Sequence, residues 1–196
     1  MRWGTPVPQA GSGVYVVALT QAMDRLEGQQ AVCPVSSEAV VELLDRRPEL
    51  LLDGSRPSVS DLRRRIAALW LPDEVVLYVG RAGTSLRSRV RQYYTTPVGA
   101  RRPHAGGWPL KMLSNLCELW VHYSACENTE TVEQEMLGVF QRSVSGSTRA
   151  VLHDPQMPIP FANLESRKGE RKRHGIEAHG NPSFARTDDN RAPDAT

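Results

Sequence analysis

Residues 76–94, VLYVGRAGTSLRSRVRQYY, combine tyrosines, glycines and arginines in a pattern suited to handling a phosphate group. Apolar, β-branched residues before Gly80 predict a strand, and apolar residues at helical spacing after Gly83 predict a helix. The exposed face of that helix carries three cations and no acid: Arg87, Arg89 and Arg91. A guanidinium can donate two hydrogen bonds in a fork to a phosphate. The pattern therefore predicts either a phosphate site or an ordinary solvated helix face.

The basic character continues through residues 81–111, which contain no aspartate or glutamate. Prolines and glycines within residues 95–109 predict a loop. Beyond the helix, the cationic or protonatable side chains of this stretch are Arg101, Arg102, His104 and Lys111. Such a run favours contact with a nucleic-acid backbone, whose phosphates attract lysine and arginine regardless of sequence. A solvated connecting loop is the alternative interpretation.

The bulk composition argues against several classes of protein. With 196 residues, 40% of them hydrophobic, and a net charge of +2, the chain suits one domain with an appendage. Its three cysteines form no CxxC pair, which argues against a disulfide framework or a zinc site. The first residues contain no apolar signal core, and no later apolar run approaches membrane length. We therefore expect a soluble cytoplasmic protein with no membrane partner.

The rest of the chain must supply the elements that position these side chains. Strands are predicted at residues 13–19, 74–80 and 117–125, and helices at residues 36–47, 58–71 and 129–142. Either Ser58 or Ser60 can cap the second of these helices. Residues 1–12 are interpreted as a flexible lead-in. Residues 166–196 are polar and show no periodicity, which predicts a disordered tail.

These motifs, taken in order, resemble those of the GIY-YIG nuclease superfamily. The first family triplet appears as GVY at residues 13–15, and the second as YVG at residues 78–80. Arg81 follows the second triplet, where the family usually has lysine or arginine. The form L-x-x-R-x-x-x-Y at residues 86–93 is similar to that of the nuclease domain of the bacterial excision-repair endonuclease. Each triplet alone is a weak signal, and their joint order is a strong one.

The resemblance also singles out a glutamate on the helix at residues 129–142. The family's metal-binding glutamate is followed by apolar residues three, four and seven places on, which fits Glu133 but not Glu135. The helical wheel agrees, because at about 100° per residue Glu133 borders the apolar stripe and Glu135 points toward water. Asn163 follows a proline-containing stretch, as an asparagine of the family does, although it could equally be a turn residue.

The resemblance implies an α/β fold with a small, mostly antiparallel three-stranded sheet flanked by helices over residues 11–165. One departure is that about sixty residues separate the two tyrosine triplets, which family members commonly join by a short hairpin. We interpret residues 21–73 as a helical insertion at the surface, since the entropy of closing a loop grows slowly with its length. Its acidic residues argue against DNA contact there, so we expect it to shape the substrate groove or bind a protein partner.

The resemblance further implies metal-dependent hydrolysis of a phosphodiester bond. Arg89 would bind the phosphate, and Glu133 would hold one divalent metal ion, Mg²⁺ or Mn²⁺. Tyr15 would orient or deprotonate the attacking water, with its pKa lowered by nearby cations. Tyr78 would support this network, and Tyr93 would touch the phosphate or order Tyr15.

The other candidates would bind or brace the nucleic acid around this centre. Asn163 is expected to brace the site by hydrogen bonds and is grouped with the nucleic-acid-binding residues. The remaining members of that group are Arg81, Arg87, Arg91, Arg101, Arg102, His104 and Lys111.

The sequence thus predicts an endonuclease acting on DNA, with two alternatives left open. One is a non-catalytic nucleic-acid-binding module on the same scaffold, although a pure binder has no need of an acidic metal ligand. The other is a nuclease directed at RNA, or a toxin-like nuclease whose insertion binds a protein partner. The residues themselves do not separate DNA from RNA.

Overall fold

The computed structural model describes residues 1–22, 29–100, 102–103, 106–167 and 169–178. The strands are β1 (Gly13–Ala18), β2 (Leu50–Leu52), β3 (Val76–Ala82), β4 (Trp120–Ala125), β5 (Glu165–Arg167), β6 (Glu170–Arg171) and β7 (Ile176–Ala178). The helices are α1 (Ser37–Arg46), α2 (Val59–Ala67), α3 (Leu86–Thr95), α4 (Thr129–Ser143) and α5 (Gly146–Val151), with 3₁₀ turns at Trp108–Met112 and Leu116–Glu118.

An antiparallel three-stranded sheet in the order β3-β1-β4 forms the centre of the fold. The predicted α/β class, with a small antiparallel sheet flanked by helices, is confirmed. β1 lies in the middle and is buried along its whole length, which explains its unbroken run of apolar residues. Its register places Tyr15 between Gly80 of β3 and Tyr123 of β4. The two triplets therefore lie side by side, although no tight turn joins them.

The two faces of the sheet are covered differently. Tyr15 and Val17 point into the main core, together with the buried stripe of α3. Val16 and Val79 point to the other face, where Leu137 of α4 packs on them. Side chains alternate between the faces along each strand, so Tyr78 and Arg81 lie on opposite sides of β3. Residues from both faces of the sheet therefore lie near one another at the end of β3.

The predicted helical insertion between the first two sheet strands is present, with α1, β2 and α2 in its described part. Ser58, and not Ser60, caps α2 by accepting a hydrogen bond from the Asp61 amide at 3.1 Å. Leu62 and Ile66 of α2 are fully buried in the main core. The expectation of a surface insertion is therefore wrong, since this segment supplies part of the core under the sheet.

The described residues from 165 to 178 include three short strands. β5 and β6 form a short hairpin, and β7 pairs antiparallel with β2 of the insertion. Ile176 and Lys172 are both buried, at 9% and 5% exposure. This differs from the expected disorder because the partner of β7 lies more than a hundred residues earlier, where no local periodicity reveals it. Residue 168 and residues 179–196 of the expected tail lie outside the described residues.

The first twelve residues also differ from the expected flexible lead-in. The Trp3 amide donates to the Leu119 carbonyl at 2.8 Å, and Val7 is only 2% exposed. The indole ring of Trp3 packs edge-on against Tyr93, with 5.1 Å between ring centroids. The segment is fixed by contacts with distant residues, which its Gly/Pro-rich composition does not indicate.

The helices of this fold are short, and α4 extends over 15 residues. Within the described parts of the chain, none combines the length and the apolar character needed to cross a membrane.

Candidate active site

A pocket of about 460 Å³ opens where β3 ends, between α3 and α4. β3 and the turn after it contribute one wall, α3 a second, and α4 a third. Its lining residues are Tyr78, Arg81, Ala82, Gly83, Thr84, Ser85, Ser88, Arg89, Gln92 and Glu133. Four of the side chains that the sequence singled out, Tyr78, Arg81, Arg89 and Glu133, thus meet in one cavity.

Three tyrosines pack together behind the pocket. The ring centroids of Tyr78 lie 5.9 Å from those of Tyr15 and 5.2 Å from those of Tyr93. Tyr15 and Tyr93 are each 1% exposed, whereas Tyr78 is 8% exposed and reaches the pocket wall. A hydrogen bond joins the hydroxyls of Tyr15 and Tyr78. Tyr78 is therefore the member of this cluster that faces the cavity, and Tyr15 supports it from behind.

Two glycines allow the tyrosines to come this close. A Cβ atom on Gly80 would lie 2.7 Å from Cζ of Tyr15 and 2.6 Å from Cε1 of Tyr78. A Cβ atom on Gly107 would lie 2.2 Å from Oη of Tyr93, and the backbone there has a φ of +65°. The Tyr93 hydroxyl donates to the Gly107 carbonyl at 2.6 Å. Tyr93 is thus fixed by the loop before the 3₁₀ turn and does not line the cavity.

The pKa of Tyr15 differs from the sequence-based expectation, and the pKa of Tyr78 is raised as well. Burial raises the pKa of Tyr15 well above that of a free tyrosine, and this outweighs the lowering by the Arg89 charge. Burial also raises the pKa of Tyr78 to about 12, although the hydrogen bond from Tyr15 and the Arg89 charge both lower it. The expected depression of the Tyr15 pKa by neighbouring cations is therefore wrong for the protein by itself.

Arg89 is placed by the buried stripe of α3. Leu86, Val90 and Tyr93 face the core, as their spacing predicted, and the Ser85 hydroxyl caps the helix by accepting from the Ser88 amide at 3.2 Å. This rotation puts the half-buried side chain of Arg89 on the pocket wall. Among the described residues it has no hydrogen-bond or ion-pair partner. Its guanidinium is thus available to an anionic ligand.

The first backbone amides of α3 are not available to such a ligand. The Leu86 amide donates to the Gly11 carbonyl and the Arg87 amide to the Gln9 carbonyl, each at 2.9 Å. A helix N-terminus can bind a phosphate through its unpaired amides, but here the first residues of the chain have taken them. The amides of Leu86 and Arg87 therefore do not contribute to anion binding in this pocket.

Glu133 lies on the α4 wall of the pocket, with 21% of its side chain exposed. Leu137 and Phe140 of the same helix are buried, and Glu135 is exposed. The predicted register of α4 is confirmed. Burial raises the pKa of Glu133, while the charges of Arg81 and Arg89 lower it. The carboxylate is thus in a place where a cationic partner stabilises it.

In the protein by itself, the cationic partner of Glu133 is Arg81. Its Nε lies 3.0 Å from Oε2 of Glu133, and its Nη2 lies 3.5 Å from Oε2 of Glu130. Arg81 was expected to contact nucleic acid, and in the protein by itself both carboxylates hold it. Sequence reasoning did not select Glu130. The sequence feature that could have identified Glu130 is its spacing of three residues from Glu133, which places both side chains on one helix face.

The outlying cations lie in different environments. Arg87 donates to the carbonyls of Val7 and Pro8, and Lys111 donates to the Thr96 carbonyl. Burial lowers the pKa of Lys111 to about 8. Both residues were expected to bind nucleic acid, and in this structure their side chains hold other parts of the chain in place.

Arg91 and Arg102 are exposed and do not line the pocket. Arg91 is two residues from Arg89, about 200° around the helix, so it faces away from the pocket. Arg101 and His104, also expected to bind nucleic acid, lie outside the described residues.

Asn163 braces the outer edge of β3. Its Oδ1 accepts from the Val79 amide at 2.9 Å, and its Nδ2 donates to the Val79 carbonyl at 2.8 Å. The side chain, 6% exposed, thereby takes the place of a neighbouring strand on an edge that would otherwise be unpaired. The expected bracing role agrees with this geometry. Direct contact with nucleic acid does not, since the amide is buried and occupied.

A hydrated divalent cation in this pocket would have few protein ligands. Among the described residues there is no group of three or more histidine, cysteine, aspartate or glutamate side chains that could hold a metal. Mg²⁺ usually retains several waters and uses only one or two carboxylates. Mg²⁺ therefore needs only a single carboxylate beside a polar cavity with space for its waters. Burial makes such a carboxylate costly to ionise unless a cation is close to it. Glu133 is the residue that would hold such a cation.

Comparison of the chain with known proteins finds no matching family model, no matching curated protein and no matching solved structure. The site is therefore interpreted from its own geometry.

Proposed function

We propose that the protein is an endonuclease that hydrolyses phosphodiester bonds in DNA with the help of one divalent cation, as the GIY-YIG resemblance implies. The observation that carries the proposal is the meeting of Arg89, Glu133 and Tyr78 in one pocket. These residues come from α3, α4 and β3. They supply a cationic hydrogen-bond donor, a carboxylate and a hydroxyl, which are the groups that phosphoryl transfer requires.

Arg89 is the proposed ligand of the scissile phosphate. Its guanidinium is half-buried and has no partner among the described residues, so it loses no protein contact on binding an anion. A fork of two hydrogen bonds fixes a non-bridging oxygen and offsets the charge that grows on the phosphate in the transition state. Ser88 and Gln92, which lie one turn apart on the same helix wall, supply further donors to this pocket.

Glu133 is the proposed ligand of the cation, Mg²⁺ or Mn²⁺. A bound divalent cation supplies Lewis-acid stabilisation of the departing oxygen. Glu133 contributes the negative charge that retains the cation next to a polyanionic substrate. Without the cation, the same carboxylate would repel the phosphate, and Arg81 at 3.0 Å offsets that charge.

Tyr78 is the proposed contact for the attacking water, since its ring lines the pocket. Tyr15 fixes the Tyr78 hydroxyl through their hydrogen bond. Burial keeps the pKa of both phenols above neutral pH, so the proposal gives them an orienting role and not that of a base. The proton that the water loses passes to solvent.

Cleavage assays on a pair of matched variants test this proposal. Supercoiled plasmid, linear duplex DNA and RNA are incubated with Mg²⁺ or Mn²⁺ and wild type, Glu133→Gln or Glu135→Gln. We expect wild type and Glu135→Gln to cut DNA and Glu133→Gln to be inactive. The two substitutions remove the same charge from the same helix, and only Glu133 faces the pocket. Cutting of RNA alone would redirect the proposal to RNA.

A non-catalytic nucleic-acid-binding module is the second candidate function. The observation that favours it is the pairing of Arg81 with Glu133, together with raised pKa values for both phenols. Gel-shift titrations in EDTA distinguish the two functions. Glu133→Gln should bind DNA at least as tightly as wild type, because it removes a charge that repels phosphate. Wild type that binds in EDTA but cuts with no divalent metal would establish the binding module.

A further inference from the structure

Arg81 links two carboxylates of α4 through two different nitrogens of one guanidinium. Nε contacts Oε2 of Glu133 at 3.0 Å, and Nη2 contacts Oε2 of Glu130 at 3.5 Å. The two glutamates differ in their surroundings, since the side chain of Glu133 is 21% exposed and that of Glu130 is 65% exposed. Glu133 lines the pocket, whereas Glu130 is not among the lining residues. One cation is thus shared between an inner and an outer carboxylate.

A divalent cation on Glu133 is incompatible with this arrangement. The cation would need the carboxylate that Arg81 now holds, and two like charges at such short distance repel. Arg81 is 39% exposed and at the end of β3, so its guanidinium is free to move outward. Glu130 is one helical turn from Glu133 and already within reach, so the guanidinium keeps a partner when it leaves Glu133.

We propose that Glu130 is a positioning residue that receives Arg81 when a divalent cation occupies Glu133. This inference rests on the proposed function, because it requires that Glu133 bind a cation. Glu130 acts through Arg81 and is not itself a ligand of the cation or the substrate. In this way the cation-free pocket keeps its partly buried carboxylate paired, and the loaded pocket does not leave a guanidinium without a partner beside the metal.

A titration of the protein alone with Mn²⁺ tests the role of Glu130 without any substrate. Binding is measured as the loss of the electron paramagnetic resonance signal of free Mn²⁺. We expect Arg81→Gln to tighten Mn²⁺ binding by roughly five- to tenfold, because a competing cation is removed. Glu130→Gln should weaken it by roughly two- to fivefold, the range that an exposed ion pair supports. In the Arg81→Gln background, the same Glu130→Gln change should have no more effect than Glu135→Gln.

The control Glu135→Gln removes an equal charge from an exposed position of the same helix, so it measures the effect of net charge alone. Because Glu130 is exposed, its replacement should not unfold the protein, and Glu130→Ala gives a second variant with the same expected effect. The decisive quantity is the coupling between positions 81 and 130 in the double-mutant cycle.

Each outcome bears on the inference. A Glu130 effect that disappears with Arg81 supports it. A Glu130 effect of equal size with and without Arg81 overturns it, since Glu130 would then act on the metal directly, and the proposed function would stand if wild type binds Mn²⁺ and cuts. If wild type neither takes up Mn²⁺ nor cuts with it, both the inference and the proposed function fail.

Discussion

At the scale of single residues, the site depends on how each charged group is partnered. Glu133 and Arg81 neutralise one another in the protein by itself, and Arg89 faces the same pocket without a partner among the described residues. A buried or half-buried charge is costly unless an opposite charge or a ligand compensates it. Arg89 is therefore the group in this pocket with the most to gain from a bound phosphate.

Replacing Arg89 by glutamine should lower the cleavage rate about 10²- to 10³-fold, the usual effect of losing one donor to a transition-state charge. The fold should persist, because the stripe of α3 that packs in the core does not include Arg89. Single-turnover cleavage and circular dichroism measure the two effects. The matched control is Arg64→Gln, on an arginine of α2 whose side chain is 76% exposed. A folded Arg89→Gln protein that cuts at the wild-type rate would contradict the assigned role.

At the scale of secondary-structure elements, β3 needs support on its open side. The sheet order leaves β3 as an edge strand, and its outer backbone groups pair with the segment that contains Asn163. The Ala162 amide donates to the Leu77 carbonyl at 2.8 Å, one step along the same edge. This segment in turn is held by Lys172, whose buried ammonium donates to the carbonyls of residues 159–161. β3 is the strand that carries Tyr78 and Arg81 to the pocket, so its edge partners also fix the site.

Asn163→Ala should lower the free energy of unfolding by about 2 kcal/mol or more, because the Val79 amide and carbonyl lose their partners while buried. Hydrogen exchange of the Val79 amide should accelerate more than that of the central strand β1. Chemical denaturation and exchange followed by nuclear magnetic resonance measure both changes. Asn128→Ala is the control, since Asn128 is exposed and its side chain makes no capping hydrogen bond. Equal exchange rates at the Val79 amide in wild type and Asn163→Ala would disprove the bracing of β3 by Asn163.

At the scale of the whole molecule, segments far apart in sequence close the fold around the insertion. β7 pairs with β2, and the Asp53 amide donates to the Gly175 carbonyl at 2.8 Å. Arg65 of α2 donates to the His174 carbonyl at 2.9 Å. The insertion is thus attached both to the sheet through its core helices and to the segment that follows Asn163. Because these contacts join distant parts of the chain, their loss should lower the free energy of unfolding of the whole domain.

A chain that ends after residue 175 should be less stable than one that ends after residue 178. The shorter chain lacks β7 and the buried Ile176, whose side chain contributes about 1.5–3 kcal/mol by burial. Thermal unfolding of the two truncated proteins, compared at equal concentration, measures the difference. Because the two chains differ only in residues 176–178, equal melting temperatures would contradict a structural role for β7.

The sequence by itself determined the features that local periodicity encodes. The three sheet strands, the buried stripe of α3 and the register that turns Glu133 toward the pocket and Glu135 toward water follow from the spacing of apolar residues over one or two turns. These predictions succeed because each depends on neighbours within a few positions.

Only the tertiary structure decided which of these groups are free and which are paired. The grip of two carboxylates on Arg81, the strand-like pairing of Asn163 with Val79, and the pairing of β7 with β2 all join residues about fifty to more than a hundred positions apart. The raised pKa values of Tyr15 and Tyr78 likewise come from burial, which depends on the packing of the whole chain. Hydrogen bonds, ion pairs and desolvation act over distances in space, and residue spacing along the chain does not specify those distances.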